Sequence, residues 1–469
     1  MKLVFGVAAL FVACSQQPSR LDGIGSPKPG PDPTDVPATI DKIANDVLAD
    51  TKVPSASLAA VRDGKIIYVH AYGNARVGPD VPATPAMRYS IGSVSKQLTA
   101  VAVLMLVADG KLALDDAVGK YVPNLMRGDD ITIRQILSHT SGYRDYAPQD
   151  YMIPAWTRPI ADNTLVDQWA HQPLDFEPGT KWQYSNTNFV IAGMICEKVT
   201  GTPLFDFLKR RVFDKLGMTS VVDVDRGTLA ASDPQGYFRR ANGPLHPAPV
   251  EAAGWKFGAY ELGMTAEDLA TWDISMIDQT ILPPALYKQL ETETLLASGA
   301  GTRYGLGIGI GLSSQRRELR HGGEASGFVS ENIVLPDDRI AVAVLTNQDA
   351  SDAAAQIADK VKDALVRSVA AQSLASDARI KVLLTSLAIG ILDRSLLTDD
   401  ANAYFTPEAI DEYKTAIAAA GALDHVEQLS SGRRGGMTVR RYTAKYATKS
   451  LAISVYETDD GKLEQFLIE

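Results

Sequence analysis

Ser93 and Lys96, three positions apart, are the two side chains in this chain best suited by type and spacing to nucleophilic chemistry. They sit in Tyr89-Ser90-Ile91-Gly92-Ser93-Val94-Ser95-Lys96-Gln97-Leu98-Thr99-Ala100, which leads into the apolar run Val101–Ala108 and stops at Asp109-Gly110. That run predicts a buried helix with glycine at its C-terminal cap, and it places Ser93 at or near the helix N-terminus. Residues at this spacing share a helix face, so Lys96 lies one turn beyond Ser93. Unpaired backbone N–H groups at a helix N-terminus favour negative charge developing near the hydroxyl. A lysine that is desolvated and close to the positive helix end has two reasons for a lowered pKa. The pair thereby qualifies as a nucleophile and its base. Ser-x-x-Lys alone also describes an N-cap serine followed by a surface lysine, so the reading needs further motifs.

Two more are present. Tyr184-Ser185-Asn186 lies between Glu177-Pro178-Gly179-Thr180 and a helix-like run, on a loop within a helical region. His321-Gly322-Gly323, followed by Gly327-Phe328, leads into a strand-rich segment. Taken singly, Tyr-x-Asn is a turn, Ser185–Asn188 a helix N-cap, and His321 a structural residue. Taken in order, they parallel the Ser-x-x-Lys, Ser-Asp-Asn and Lys-Thr-Gly set of penicillin-recognising enzymes. These motifs, with Ile136-Leu-Ser-His-Thr-Ser-Gly142, Phe176-Glu-Pro-Gly-Thr180 and Thr265-Ala-Glu-Asp-Leu269, resemble the serine hydrolases related to class C β-lactamases and D-Ala-D-Ala carboxypeptidases. That family also includes esterases and D-aminopeptidases. The resemblance covers residues 40–370.

The resemblance implies an α/β (α+β) fold of the β-lactamase/transpeptidase type, with an antiparallel sheet flanked by helices and an inserted helical lobe. It implies Ser93, Lys96 and Tyr184 as catalytic residues, with Ser93 Oγ attacking an acyl carbonyl to give an acyl-enzyme. The oxyanion needs two fixed donors, which the family places at the backbone N–H groups of Ser93 and Glu324. Asn186, His321, Gly322, Gly323 and Glu324 are the implied substrate-binding residues. The two glycines keep a strand edge bare for substrate backbone, and Asn186 holds Lys96 and substrate polar groups. Whether Lys96 or Tyr184 is the formal base stays open at this point. His139 and Ser141 read as fold-stabilising, and Cys196 as a core residue. The absence of Gly-x-Ser-x-Gly disfavours a nucleophile-elbow hydrolase. Histidine where the penicillin-recognising set has lysine supplies no permanent cation at pH 7, which argues against efficient β-lactam hydrolysis.

The surrounding chain is organised to carry such a site. Strand-like runs joined by Asp63-Gly64 predict a hairpin over 56–72, after a helical pattern at 39–49. Residues 111–250 are mainly helical, clearest at Leu165–His171 and Asn188–Thr200. Tyr304–Leu312 alternates glycine with larger residues and predicts a strand with a close backbone approach. A second hairpin follows over 331–346 and a long helix over 349–369. The catalytic domain is expected to span 38–370, with an Ala/Ser-rich boundary at 370–378. A small α+β domain over 379–469 resembles the cone-shaped nuclear-transport-factor type.

With 469 residues, 45% of them hydrophobic, the chain is long enough for a large core and a second domain. A net charge of −10 with no basic stripe argues against a nucleic-acid partner. Two cysteines and six scattered histidines without metal-ligand spacing point to no metal site, and the implied chemistry calls for no organic cofactor. The expected function is therefore an exported serine hydrolase acting on an ester or a D-amino-acid peptide or amide. The alternatives are a D-Ala-D-Ala carboxypeptidase or weak β-lactamase, and a non-catalytic peptidoglycan- or ligand-binding protein on the same fold. Oligomeric state is not legible.

Export is expected because Lys2 precedes the apolar run Leu3–Ala13, which ends in Phe11-Val12-Ala13-Cys14. This resembles a bacterial lipoprotein box, with residues 1–13 as signal peptide and Cys14 as the lipidated residue on the periplasmic side of a membrane. The Pro- and Gly-rich residues 14–37 then form an extended tether. Replacing the anchor residue, Cys14→Ala, is expected to move the protein from the membrane fraction to the soluble fraction on cell fractionation. Unchanged partitioning would refute the anchor.

Overall fold

The computed structural model describes residues 35–149, 151–313, 316–458 and 460–468, giving the backbone alone at 368–376 and 433. The expected signal peptide and Cys14 lie outside the described residues. Helix α1 (Val36–Thr51) is capped by Asp35, whose carboxylate accepts the Ala38 N–H at 3.1 Å. Proline suits a first helical turn, where its missing N–H would have no partner. The helix therefore takes in Val36 and Pro37, which the sequence had assigned to the tether.

Strands β1 (Ser55–Arg62) and β2 (Lys65–Arg76) form the expected hairpin about Asp63-Gly64, and β3 (Val81–Pro82) extends it. Strand β4 (Tyr89–Ser90) and a 3₁₀ turn over Gly92–Val94 then deliver the chain into α2 (Ser95–Ala108). The lobe contains α3 (Ile133–Leu137), α4 (Asp162–Trp169), α5 (Asn186–Thr200), α6 (Leu204–Leu208) and α7 (Asp214–Leu216). Short strands β5 (Val222–Asp223), β6 (Tyr237–Arg239), β7 (Leu245–Pro247) and β8 (Leu262–Met264) follow, and α8 (Ala266–Asp278) and α9 (Pro284–Leu290) close this half. The main sheet is completed by β9 (Gly309–Ser313), β10 (Arg316–Ala325), β11 (Phe328–Leu335) and β12 (Ile340–Thr346). Its order is β3-β2-β1-β12-β11-β10-β9, antiparallel throughout.

Strand alternation divides the core between the two faces of this sheet. Ala59 and Val61 of β1, with Ala341, Ala343 and Leu345 of β12, face the large core that contains α2, α5 and α8. Leu58 and Ala60, with Val342 and Val344, face the second core under α1 and α10 (Ala353–Leu387). Central strands covered on both faces are continuously apolar, which is why β12 reads Ile-Ala-Val-Ala-Val-Leu. Helix α2 is buried around nearly its whole circumference, so it is hydrophobic all round rather than amphipathic.

One expectation is corrected and another is refined. The strand predicted over Tyr304–Leu312 begins only at Gly309, because Gly307 sits at φ +77° and turns the chain. The close approach is real but is made to α2: a Cβ at Gly307 would lie 2.7 Å from the Lys96 carbonyl oxygen. The boundary expected at 370–378 carries a helix rather than an interruption of secondary structure, since α10 runs unbroken from Ala353 to Leu387. Alanine and serine without glycine or proline leave helix propensity intact. The first part of α10 packs on the sheet. Ile380, Leu383, Leu384 and Leu387 join a separate core with Phe405, Tyr442, Ile453 and Phe466.

That C-terminal α+β domain comprises α11 (Asp399–Tyr404), α12 (Pro407–Ala418) and a four-stranded antiparallel meander. The meander runs β13 (Leu423–Arg434), β14 (Met437–Tyr446), β15 (Ser450–Glu457) and β16 (Leu463–Ile468). Strand β13, rich in polar residues, had no strand signature in the sequence. Among the described residues, no helix is long and apolar enough to cross a membrane.

One buried polar network ties α2 to the sheet behind the site. Gln97 Nε2 donates to Asn332 Oδ1 at 3.0 Å, and Trp272 Nε1 donates to Gln97 Oε1 at 2.9 Å. Asn332 Nδ2 donates to both oxygens of Asp273, at 2.7 and 2.9 Å. Asn332→Ala would strand the Gln97 amide and the Asp273 carboxyl in the core, a loss of about 3 kcal/mol of stability. A lowered urea midpoint with an unchanged slope is the expected result.

Candidate active site

Ser93 occupies the 3₁₀ turn that enters α2, and Lys96 follows in the first turn of the helix. Lys96 is fully buried, and its Nζ contacts three oxygens: Ser93 Oγ at 2.9 Å, Asn186 Oδ1 at 2.7 Å and the Ala259 carbonyl at 3.0 Å. Burial pushes its pKa down to about 7, opposed by the nearby Asp145 carboxylate. A neutral amine keeps two N–H donors and one lone pair. Those donors are taken by Asn186 and Ala259, so the lone pair faces the Ser93 hydroxyl.

Tyr184 lies on the loop before α5, and its hydroxyl is hydrogen-bonded to Ser93. Burial drives the phenol well above its ordinary pKa, so it stays protonated. The Tyr184 ring lies 4.8 Å from Lys96 Nζ and stacks on His139, with ring centroids 4.3 Å apart. His139 Nδ1 accepts the Ser185 N–H at 3.2 Å, fixing the loop that carries Tyr184. His139 was legible as a fold residue; its contact with Tyr184 was not.

The third motif faces this pair. Strand β10 carries His321, Gly322, Gly323 and Glu324 past the nucleophile turn. Gly92, at φ +53°, and Gly323 make the approach possible. A Cβ on Gly92 would lie 2.4 Å from the Glu324 nitrogen, and one on Gly323 would lie 2.0 Å from the Ile91 carbonyl oxygen. Ser330 Oγ locks the contact by donating to the Ile91 carbonyl at 2.7 Å. The Glu324 backbone nitrogen is thereby held beside the turn that carries Ser93, while its carboxylate accepts the Ala350 N–H at 3.0 Å. Gly322 leaves the other side of the strand open, since a Cβ there would meet nothing closer than 3.4 Å.

His321 is buried and neutral, its pKa pushed down to about 4 by desolvation and by Lys96. Its Nδ1 lies 2.6 Å from the Gly322 carbonyl and must be the donor, so Nε2 accepts from the Tyr304 hydroxyl at 2.8 Å. Tyr304 had been expected in a strand and was not singled out for the site.

Asn186, at the first position of α5, departs from its expected double role. Its Oδ1 faces Lys96, but its Nδ2 is turned to Asp145, 3.2 Å from Oδ1 and 3.4 Å from Oδ2. Asp145, three residues beyond Gly142, was missed. Its only signal was closeness to the Ile136–Gly142 motif. Cys196 sits in the core of α5 with its thiol pushed up by burial, remote from this chemistry.

Ser93, Asp145, Tyr184, Asn186 and the His321–Glu324 edge all line one cavity of about 960 Å³. Trp156, Trp182, Tyr151 and Met152 give its wall an apolar sector. A nucleophile, a protonated phenol and a bare strand edge thus converge on one accessible space, with the Lys96 amine buried directly behind the nucleophile.

Residues 40–366 match the family described as Beta-lactamase. The chain is 28% identical over 321 residues to Protein flp of Staphylococcus aureus, covering 66% of this chain and 62% of that protein. It is also 28% identical over 328 residues to a D-aminopeptidase of Brucella canis, covering 67% and 61%. The match thus spans about three fifths of each relative's length. Among solved structures, a D-stereospecific amidohydrolase from Streptomyces superposes with a TM-score of 0.60 at 28% identity, over 70% of this chain and 97% of that one. With its family match running from α1 through the third motif and into α10, this chain belongs to the β-lactamase family.

Proposed function

We propose that the protein is a serine hydrolase that works through an acyl-enzyme on amides, peptides or esters of D-amino acids. The observation that carries this reading is the 2.9 Å contact between Ser93 Oγ and a lysine amine whose other partners are both acceptors. Ser93 passes its proton to Lys96 Nζ as Oγ attacks the acyl carbonyl, and the backbone N–H groups of Ser93 and Glu324 receive the oxyanion. Burial favours the neutral form of both groups, amine for Lys96 and phenol for Tyr184, which makes Lys96 the base. Tyr184 then relays the proton from Lys96 to the departing amine or alkoxide. Water reverses the sequence to release the acid and free Ser93.

The relatives named as a D-aminopeptidase and a D-stereospecific amidohydrolase support the D-amino-acid choice. Neutral His321 in the third motif supports amides and esters over β-lactams. We place this activity on the periplasmic side of a membrane through the Cys14 anchor.

Since Lys96 must be neutral to accept the proton, kcat/KM for a substrate that does not itself ionise is expected to rise with pH through about 7 and then level. Activity is lost below that value as Lys96 becomes protonated. Lys96→Arg, which cannot deprotonate in this range, is expected to lower kcat about 10³-fold. A profile with no limb between pH 6 and 8 would remove Lys96 as base. For the nucleophile, intact-mass spectrometry after fluorophosphonate treatment should show one adduct on wild type and none on Ser93→Ala. Folded wild type that takes no adduct would return the protein to the binding-protein reading.

A further inference from the structure

Asp145 has an arrangement that the acyl-enzyme chemistry leaves unused. It is half-buried and lines the cavity that holds Ser93. Its Oδ1 is saturated, accepting the N–H of Ala147 at 3.1 Å, the N–H of Asn186 at 3.0 Å and Asn186 Nδ2 at 3.2 Å. Its Oδ2 has one long contact, with Asn186 Nδ2 at 3.4 Å. Burial raises the Asp145 pKa, and the Ala147 and Asn186 N–H groups and Lys96 oppose that shift. As a carboxylate it offers about four acceptor sites, so Oδ2 has room for a further donor.

The nearby cations do not supply one. Arg144 is engaged by Asp175 at 3.1 Å. Lys96 acts on Asp145 through space and makes no direct contact with it, since each is hydrogen-bonded to the Asn186 amide between them. Lys96 must also be neutral before it can serve as base, so in the state that binds substrate it leaves the carboxylate uncompensated. The other titratable groups around Asp145 are Tyr146, Tyr184 and Tyr260, three buried phenols raised well above their ordinary pKa and uncharged. Elsewhere on the wall, Glu331 is paired with Arg320 and Glu318 with Lys362. The Asp349 carboxylate accepts the Gly327 N–H and that of Glu251 the Ser326 N–H.

We propose that Asp145 is the counter-charge for the α-ammonium group of the substrate, so that the enzyme takes amides and peptides with a free amino terminus in preference to N-acylated ones. The inference rests on the acyl-enzyme reading and names its substrate class. An α-ammonium is bonded to the carbon next to the scissile carbonyl. A carboxylate one amide side chain away from the Ser93–Lys96 pair is where such a group would be met. The cation would also replace the compensation that Lys96 withdraws when it is neutral.

The test compares kcat/KM at pH 7 for D-phenylalanine p-nitroanilide and its N-acetyl derivative, in wild type, Asp145→Asn and Asp145→Glu. Wild type is expected to favour the free amine by about 10- to 100-fold, the scale of a charge-assisted hydrogen bond. Asp145→Asn should bring that ratio close to one, and Asp145→Glu should retain part of it. A purely positioning role would lower both rates together and leave the ratio intact, which would overturn the proposal. So would a wild-type preference for the N-acetyl derivative. If Asp145→Asn does not fold, the wild-type ratio still decides, because the advantage should vanish as pH rises past about 8, where an α-amine loses its proton. A ratio that holds above that pH would overturn the assignment. Fluorophosphonate labelling of Ser93 separates the two levels: labelling without amine preference removes the role of Asp145 alone, and no labelling removes the acyl-enzyme reading beneath it.

Discussion

A lysine amine buried against a serine hydroxyl is the constraint on which the rest of this structure depends. Ionised amines resist desolvation, so burial favours the neutral form of Lys96 provided that no carboxylate touches it directly, and its remaining N–H groups still need polar partners in place of water. The structure meets both conditions. Asn186 Oδ1 and the Ala259 carbonyl take the amine's donors, and the Asn186 amide stands between Lys96 and Asp145. The same demand explains why α2 is buried on nearly every side, and why Gly307 brings a loop down to the Lys96 carbonyl.

The second requirement is a fixed distance between the nucleophile turn and β10. A donor aimed at a developing oxyanion is useful only if it is already in place, because reorganisation during the reaction would consume its stabilisation. Two glycines set back to back, Gly92 and Gly323, let two backbones meet where side chains would hold them apart. Ser330 pins the turn from the neighbouring strand, and the Gln97–Asn332–Asp273 network pins α2 from behind. These contacts belong to the sheet and to two helices, so the site stands on regular elements rather than on free loops.

The helical lobe contributes groups that tune rather than anchor. Tyr184 and Asn186 arrive on the loop and first turn of α5, held by His139 and Asp145 from the segment beyond α3. Helix α10 links this catalytic half to the C-terminal domain without a break, so the two domains share a helix where a boundary was expected.

By itself the sequence determined the elements that carry the site. Ser93 and Lys96 at a helix start, Tyr184-Ser-Asn186 before a helix, and His321-Gly-Gly323 on a strand were legible because each is a local pattern of residue type and spacing. So was the Asp63-Gly64 hairpin, and the interruption of the sheet by a helical lobe. Only the tertiary structure decided which groups act on one another. Asp145, Tyr304 and the Ala259 carbonyl are distant from their partners in the chain or carry no local signature, and packing alone brings them to Lys96, Asn186 and His321. The glycine alternation at 305–311 was misread for the same reason, and the continuity of α10 across 370–378 was not legible either. Composition reports what a backbone can do, whereas the contacts on either side decide whether it turns against a helix or continues as one.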